Sequence, residues 1–196
     1  MRLYALAAEI GSLVYNLEAK TGRMGYLGVM NNNLLIIGAG QYGRLVGEIA
    51  AELGIYDKID FVDDNSDEAI CGSSEISSCY PEYGSAVVAI GNPEVRRDMM
   101  RLLRSSGFEL VSIVSRRAYV SPTARVGDGC VIEQFAAIQT GAVVGDGCFV
   151  STGAVVNHNC VVGDYSHIDC NASVMKASAV PEMSYIKANT TWIVER

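Results

Sequence analysis

From Ala118 onward the apolar positions recur every six residues without a gap: AYVSPT, ARVGDG, CVIEQF, AAIQTG, AVVGDG, CFVSTG, AVVNHN, CVVGDY, SHIDCN, ASVMKA, SAVPEM and SYIKAN. The third place of all twelve segments, from Val120 to Ile186, is Val or Ile, and the first is always Ala, Cys or Ser. Such a period predicts short strands, each with an aliphatic residue pointing inward and a small residue at the corner, three of which close a triangular coil of 18 residues. Twelve segments make about four coils. The motifs VGDG at 126–129, VGDG at 144–147 and VGDY at 162–165 then stack along one corner. Cys130 and Cys148 share a stacked column and Cys160 holds the equivalent small position on another face, so these three read as buried small hydrophobes.

Upstream the pattern changes. LLIIGAGQYGRLVGEIAAELG, Leu34 to Gly54, reads as a strand, a Gly-rich turn and a helix with Gly54 near its C-cap. IDFVDD at 59–64 and AVVAIGN at 86–92 read as strands, and PEVRRDMMRLLRSSG as a helix opened by Pro and closed by Gly. Alternating strands and helices predict a small parallel sheet. In the first thirty residues Leu3, Leu6, Ala7, Ile10, Leu13, Val14 and Leu17 form one face of an amphipathic helix, followed by a linker. The expected organisation is 1–33 helix and linker, 34–117 small α/β domain, and 118–196 all-β parallel coil with a short C-terminal cap.

The 196 residues carry a formal charge of −7 with no basic run, which disfavours nucleic acid and an anionic membrane surface as partners. Glu9 interrupts the N-terminal apolar run well short of the roughly 18 residues a membrane helix needs, so no membrane insertion is expected. Six cysteines without a CxxC pair suit a reduced, cytoplasmic protein.

Two places carry candidate chemistry. In GAGQYG, Gly38, Gly40 and Gly43 satisfy GxGxxG between a strand and a helix, where main-chain N–H groups can meet a pyrophosphate. Asp63 and Asp64 close the next strand, placed to meet a ribose hydroxyl or base N–H. A nucleotide-containing ligand is one reading; close strand-helix packing and NAD in a dehydrogenase are the others, although the α/β segment is only half a usual dinucleotide fold. Both histidines, His158 and His167, lie in AVVNHNCVVGDYSHI. His158 follows the inward Val156 in a turn and should point outward, in a stack with Thr140 and Lys176; His167 falls on a different side of the same prism. The pair can form a catalytic site between packed prisms or a polar contact there. Zinc would need three or four ligands, so no metal is expected.

Taken together, IIGAGQYG, FVDD, AIGNPEVR, SPTA and above all NHNCVVGDYSHI resemble the left-handed β-helix, hexapeptide-repeat acyltransferases over residues 34 to about 175. More narrowly, they are similar to the bacterial nucleotide-sugar acetyltransferases of the bacillosamine N-acetyltransferase and sialic acid O-acetyltransferase group. The resemblance implies a small Rossmann-like parallel sheet followed by a left-handed parallel β-helix, a homotrimer, acetyl-coenzyme A between neighbouring prisms, and a UDP-linked sugar on the N-terminal domain. It implies His158 as general base, His167 near the acetyl group, and a main-chain N–H around Lys176 as oxyanion donor. It also implies that Gly38, Gly40 and Gly43 accommodate phosphates, that Asp63 and Asp64 meet uracil or ribose, and that Gly91, Asn92 and Arg96 shape the sugar pocket. For Arg96 the alternative is an exposed helix residue.

Three features depart from that family. Tyr42 stands where His is frequent in the glycine turn, which alters a sugar contact. Asn159 follows the base where Asp or Glu is common, and Asn157 precedes it, leaving Asp146 or Asp164 as carboxylates that another corner or subunit would have to supply. The coils end at KANTTWIVER, without the further coils and Gly-x-Pro-Ala-Lys close of longer relatives, and Trp192 is the candidate cap. Acetyl transfer to a sugar amine or hydroxyl is the leading expectation. A sugar-nucleotide-binding trimer without catalysis, and an acyltransferase for another small amine, are the alternatives.

Overall fold

A computed structural model describes residues 32–193; the helix and linker expected over 1–33 lie outside the described residues except for the last two positions. The chain enters a five-stranded parallel sheet through β1 (Asn33–Ile37), continues into α1 (Gln41–Leu53), β2 (Lys58–Val62), β3 (Ala69–Cys71) and a 3₁₀ helix (Ser73–Cys79). It then forms β4 (Ser85–Val88), α2 (Pro93–Ser105) and β5 (Glu109–Leu110), giving the strand order β3-β2-β1-β4-β5. An unbroken apolar run makes β1 the centre, with Leu34, Leu35 and Ile36 at 0% exposure.

The helix boundaries follow the sequence signals. Gly54 ends α1 at φ 61° and donates its N–H to the Ala51 carbonyl. Asn92 caps α2, its side chain accepting from the Val95 N–H, with Pro93 opening the helix. Gly43 is glycine for packing: a Cβ there would lie 1.9 Å from the Gly38 carbonyl oxygen.

The coils have three faces of stacked parallel strands. One holds β6 (Ile113–Val114), β9 (Val131–Ile132), β12 (Phe149–Val150), β15 (His167–Ile168) and β18 (Tyr185–Ile186). The second holds β7 (Tyr119–Val120), β10 (Ala137–Ile138), β13 (Val155–Val156), β16 (Ser173–Val174) and β19 (Thr191–Trp192). The third holds β8 (Arg125–Val126), β11 (Val143–Val144), β14 (Val161–Val162) and β17 (Ala179–Val180). Stacking partners are 18 residues apart, as in Val156 with Val174.

The inward Ile132, Ile138, Val150, Val156, Ile168 and Val174 are all at 0% exposure, as are Cys130, Cys148 and Cys160. Ser112 with Val114, and Thr190 with Trp192, extend the six-residue pattern by one segment at each end. Trp192 takes the inward place of the last strand, packs on the coil core and donates its indole N–H to the Ala179 carbonyl. The turning residue differs from expectation. It is the sixth place that adopts positive φ, as in Gly147 (62°), Gly153 (72°), Asn159 (57°) and Asn171 (54°), whereas the small first place is buried inside the corner.

Phe149 is the bulkiest of three outward side chains of the first face, with Ile113 and Val131, that the α/β unit covers completely. Its ring sits on the outside of β12 yet is at 0% exposure, because Tyr42 of α1 packs on it at 4.7 Å and the Arg96 guanidinium of α2 at 4.0 Å. Phe149→Ala is expected to lower unfolding stability by about 3–5 kcal/mol in urea titrations, against under about 0.5 kcal/mol for Ile55→Ala, exposed just beyond the end of α1.

Candidate functional site

The first cleft lies at the C-terminal ends of β1 and β2, where parallel sheets of this kind offer ligand space. It encloses about 240 Å³ and is lined by Gly38, Asp63, Asp64, Asn65, Ser73 and Met99, among others. Gly38 turns the chain at φ 107°. Gly40 caps α1 without a side-chain acceptor, no acidic residue stands in the first turn, and the first helical bond runs from the Arg44 N–H to the Gly40 carbonyl. The N–H groups of Gln41, Tyr42 and Gly43 at the positive end of α1 are therefore available to an anion.

Asp63 and Asp64 converge on this cleft as expected, each already anchored. Asp63 accepts from the Ala39 N–H at 2.8 Å and from the Asn65 N–H at 2.8 Å. Asp64 accepts from the Ser73 N–H at 2.7 Å and hydroxyl at 2.8 Å, and these bonds hold its carboxyl below its usual range. Ser73 and Asn65 were not legible as site residues in the sequence; only their nearness to the FVDD strand end pointed there. Gly40 has open space around its Cα, whereas Gly43 is closed by Gly38.

Tyr42 lines neither cleft. Its ring faces the coils, its hydroxyl is buried without a hydrogen-bond partner among the described residues, and burial, followed by the charge of Glu133, pushes its pKa well above the usual value. The altered sugar contact expected at this position is instead a packing contact on Phe149. Glu133, only 3% exposed, accepts from the Thr152 N–H at 2.9 Å and hydroxyl at 2.8 Å, a carboxylate that the sequence reading passed over.

A second hollow of about 240 Å³ opens between α2 and the coils, with Gly91, Arg96, His167 and Tyr185 in its walls. Asn92 stands beside it as the α2 cap. Arg96 is at 0% exposure, which removes the reading as a surface residue. His167 projects from β15 between the rings of Phe149, at 5.7 Å, and Tyr185, at 5.3 Å. Its Nε2 lies 2.9 Å from the Ser151 hydroxyl and 4.0 Å from the Asp169 carboxylate, which in turn accepts from the Tyr185 hydroxyl. Desolvation lowers the His167 pKa, against the opposing charge of Asp169.

His158 has the opposite setting. It is exposed at the corner between β13 and β14, with Nδ1 3.3 Å from the Asn159 side-chain amide. The amide nitrogen of Asn159 faces the ring and donates to Nδ1, which puts the proton of the neutral imidazole on Nε2; Nε2 becomes a base when the amide turns so that its oxygen accepts from Nδ1–H. The stack with Thr140 and Lys176 forms as expected: the Asn159 N–H donates to the Thr140 carbonyl and the Ala177 N–H to the His158 carbonyl, both at 3.0 Å. The Lys176 N–H has no acceptor among the described residues.

Asp146 and Asp164 do not reach His158 within the chain. They stack on another corner, Asp146 accepting from the Asp128 N–H at 3.0 Å and pairing with Arg104 at 2.8 Å, and Asp164 accepting from the Asp146 N–H at 2.9 Å. His158 and His167 likewise lie on separate parts of one prism. Among the described residues no three His, Cys, Asp or Glu side chains are grouped to hold a metal ion.

The PglD N-terminal domain family matches residues 33–103, and the bacterial transferase hexapeptide family, a six-repeat motif, matches residues 123–158. The acetyltransferase domain of PglB from Neisseria gonorrhoeae FA1090 is 30% identical, with a TM-score of 0.77 over 83% of this chain and 92% of that one. The chain belongs to the left-handed β-helix sugar acetyltransferases. A structure of the same Neisseria domain in complex with acetyl coenzyme A is 32% identical, with a TM-score of 0.70 over 78% of this chain and 86% of that one. PerB from Caulobacter crescentus, in complex with CoA and GDP-perosamine, shares the fold at 22% identity and a TM-score of 0.67 over 85% of this chain and 93% of that one.

In this acetyltransferase the half-buried His167 should titrate below 6.5, the ordinary imidazole value. A depressed folded pKa means that the unfolded chain binds more protons just below pH 6.5, so this contribution to stability is whole above that pH and is lost as pH falls through the folded value. Imidazole NMR should show the low midpoint, and His167→Gln should flatten the fall of Tm between about pH 7.5 and 5.5; a midpoint at or above 6.5 would contradict the assignment.

Proposed function

We propose that this chain transfers the acetyl group of acetyl-coenzyme A to an amino or hydroxyl group of a UDP-linked sugar, for bacterial surface glycan synthesis. The observation that carries the reading is His158, an exposed imidazole at a coil corner with Nδ1 held by Asn159, in a chain 32% identical to a domain solved with acetyl coenzyme A. No helix among the described residues is long and apolar enough to cross a membrane, and the two small co-substrates suit a cytoplasmic reaction.

The nucleotide occupies the first cleft, where Asp63 and Asp64 meet base or ribose and Gly38, Gly40 and the free N–H groups of α1 receive the phosphates. The sugar extends into the second hollow, past Gly91, Asn92 and His167. Uridine as the base rests on the family resemblance. The chain acts as a homotrimer: Val143 and Val161, at 38% and 51% exposure, are apolar surface on the third face, next to the His158 corner, and a neighbouring prism would cover them. That packing brings His158 of one subunit toward the hollow of the next, and acetyl-coenzyme A lies along the groove between them.

With the Asn159 amide turned so that its oxygen accepts from Nδ1–H, His158 Nε2 removes a proton from the acceptor nitrogen or oxygen as that atom bonds to the thioester carbonyl carbon. The negative charge formed on the carbonyl oxygen is met by the Lys176 N–H, and the His167 imidazole lies on the acetyl side of the hollow. When the carbon–sulfur bond breaks, the imidazolium returns the proton to the coenzyme A thiolate. Asn159 cannot balance the imidazolium charge as a carboxylate would; it orients the ring through Nδ1.

Titration calorimetry with acetyl-coenzyme A should give saturable binding at about one site per chain, and a screen of UDP-amino sugars should then find an acceptor. His158→Ala is expected to keep the trimer and lose about 100-fold or more in turnover. Sugar-nucleotide binding without donor binding would instead support a non-catalytic module, and turnover without preference for a nucleotide would support another small amine as acceptor.

A further inference from the structure

Arg96 is a charged side chain at 0% exposure with no carboxylate partner among the described residues. Main-chain carbonyls satisfy it instead. Nη1 donates to Ile90 at 2.6 Å and Gly91 at 3.0 Å, Nε to Gly147 at 2.8 Å, and Nη2 to Tyr165 at 2.6 Å. Ile90 and Gly91 belong to the segment between β4 and α2, whereas Gly147 and Tyr165 are stacked corners of successive coils with φ of 62° and 59°. The same guanidinium stands over Phe149 with its carbon 4.0 Å from the ring centre.

One planar group therefore ties the α/β unit to two coil corners. The segment it grips separates the clefts: Ile90 lines the first, and Gly91 the second, where His167 faces it. We infer that Arg96 is a positioning residue for the acceptor: by holding Ile90 and Gly91 against the corners at Gly147 and Tyr165, it sets the distance between the nucleotide cleft and His167 without itself bonding to the sugar. The inference rests on the acetyl-transfer reading above and changes the role of Arg96 within it, from a source of positive charge for the ligand to a brace.

Lysine cannot replace it. An ammonium keeps the charge but offers its three donors from a single point, so it cannot reach acceptors on both sides of the junction as the fork does. The four bonds are internal to the protein, so their loss acts on affinity through the displaced Ile90–Gly91 segment; a misplacement that removes the equivalent of one hydrogen bond from acceptor binding is roughly 10-fold in affinity. Of the donor, only the acetyl end approaches the hollow; the coenzyme A body lies along the groove at the His158 corner, between β13 and β14, so its binding should change little.

The test is steady-state kinetics of the full chain with acetyl-coenzyme A and whichever UDP-amino sugar the wild type accepts, for wild type, Arg96→Lys and Arg96→Gln. The expected result is acceptor KM raised about 10-fold or more in both variants, with donor KM within about two-fold of wild type. Acceptor KM within about two-fold of wild type in a folded variant would overturn the positioning role. A wild-type protein that acetylates no nucleotide sugar would overturn the acetyl-transfer reading itself, an outcome visible before any variant is made. Should neither variant fold, the Arg96 Nε–H resonance of the wild type decides: slow exchange and an unchanged shift at saturating acceptor support the brace, while a shift on acceptor binding, or rapid exchange in the free protein, overturns it.

Discussion

The junction that places the second hollow rests on covering the apolar outer face of the first coils, Ile113, Val131 and Phe149. Phe149 stands on the outside of a coil, where a strand of a free prism would present it to water, and two helices of the α/β unit close over it with Tyr42 and Arg96. Burying the ring removes a large apolar surface from water, and the guanidinium gains a π face while its N–H groups find carbonyls on both sides. The α/β unit meets the coils through that contact together with Ile113 and Val131. His167 stands one coil above Phe149 on the same face and in the wall of the hollow that α2 completes.

The two histidines illustrate how environment divides like residues between roles. His167 is enclosed by aromatic rings, Ser151 and Asp169, and desolvation favours its neutral form. His158 projects from a corner into solvent within the single chain, with only an amide at Nδ1. A neutral, fixed imidazole suits hydrogen bonding to a carbonyl, and an accessible one suits proton transfer. The negative net charge of the chain is compatible with anionic ligands because the attraction is local, at the uncapped start of α1.

Much of this was legible before the coordinates. A six-residue period with Val or Ile at one place and Ala, Cys or Ser at another has few physical solutions, so the prism, its stacking register and the outward placement of His158 followed from counting. Gly54, Asn92 and Pro93 marked helix ends by local stereochemistry, which needs no tertiary partner. The same local logic brought Gly38, Asp63 and Asp64 to one cleft, since a glycine turn and the end of the next strand are neighbours in any such parallel sheet.

What the sequence could not determine is which face of the prism the α/β unit covers, because side chains on all three faces alternate in the same way. Tyr42 read as a turn residue near a ligand and became a wedge on Phe149; Arg96 read as surface charge or ligand contact and became a buried brace; Glu133 drew no notice and is a buried acceptor for Thr152. Asp146 and Asp164 looked free to assist His158, yet the corner column uses them to bond the coil below and Arg104. Periodicity encodes contacts at constant spacing along one chain direction. Contacts between the two architectures span 69 residues from Arg96 to Tyr165 and more than 100 from Tyr42 to Phe149, and depend on shape and desolvation that only the assembled fold creates.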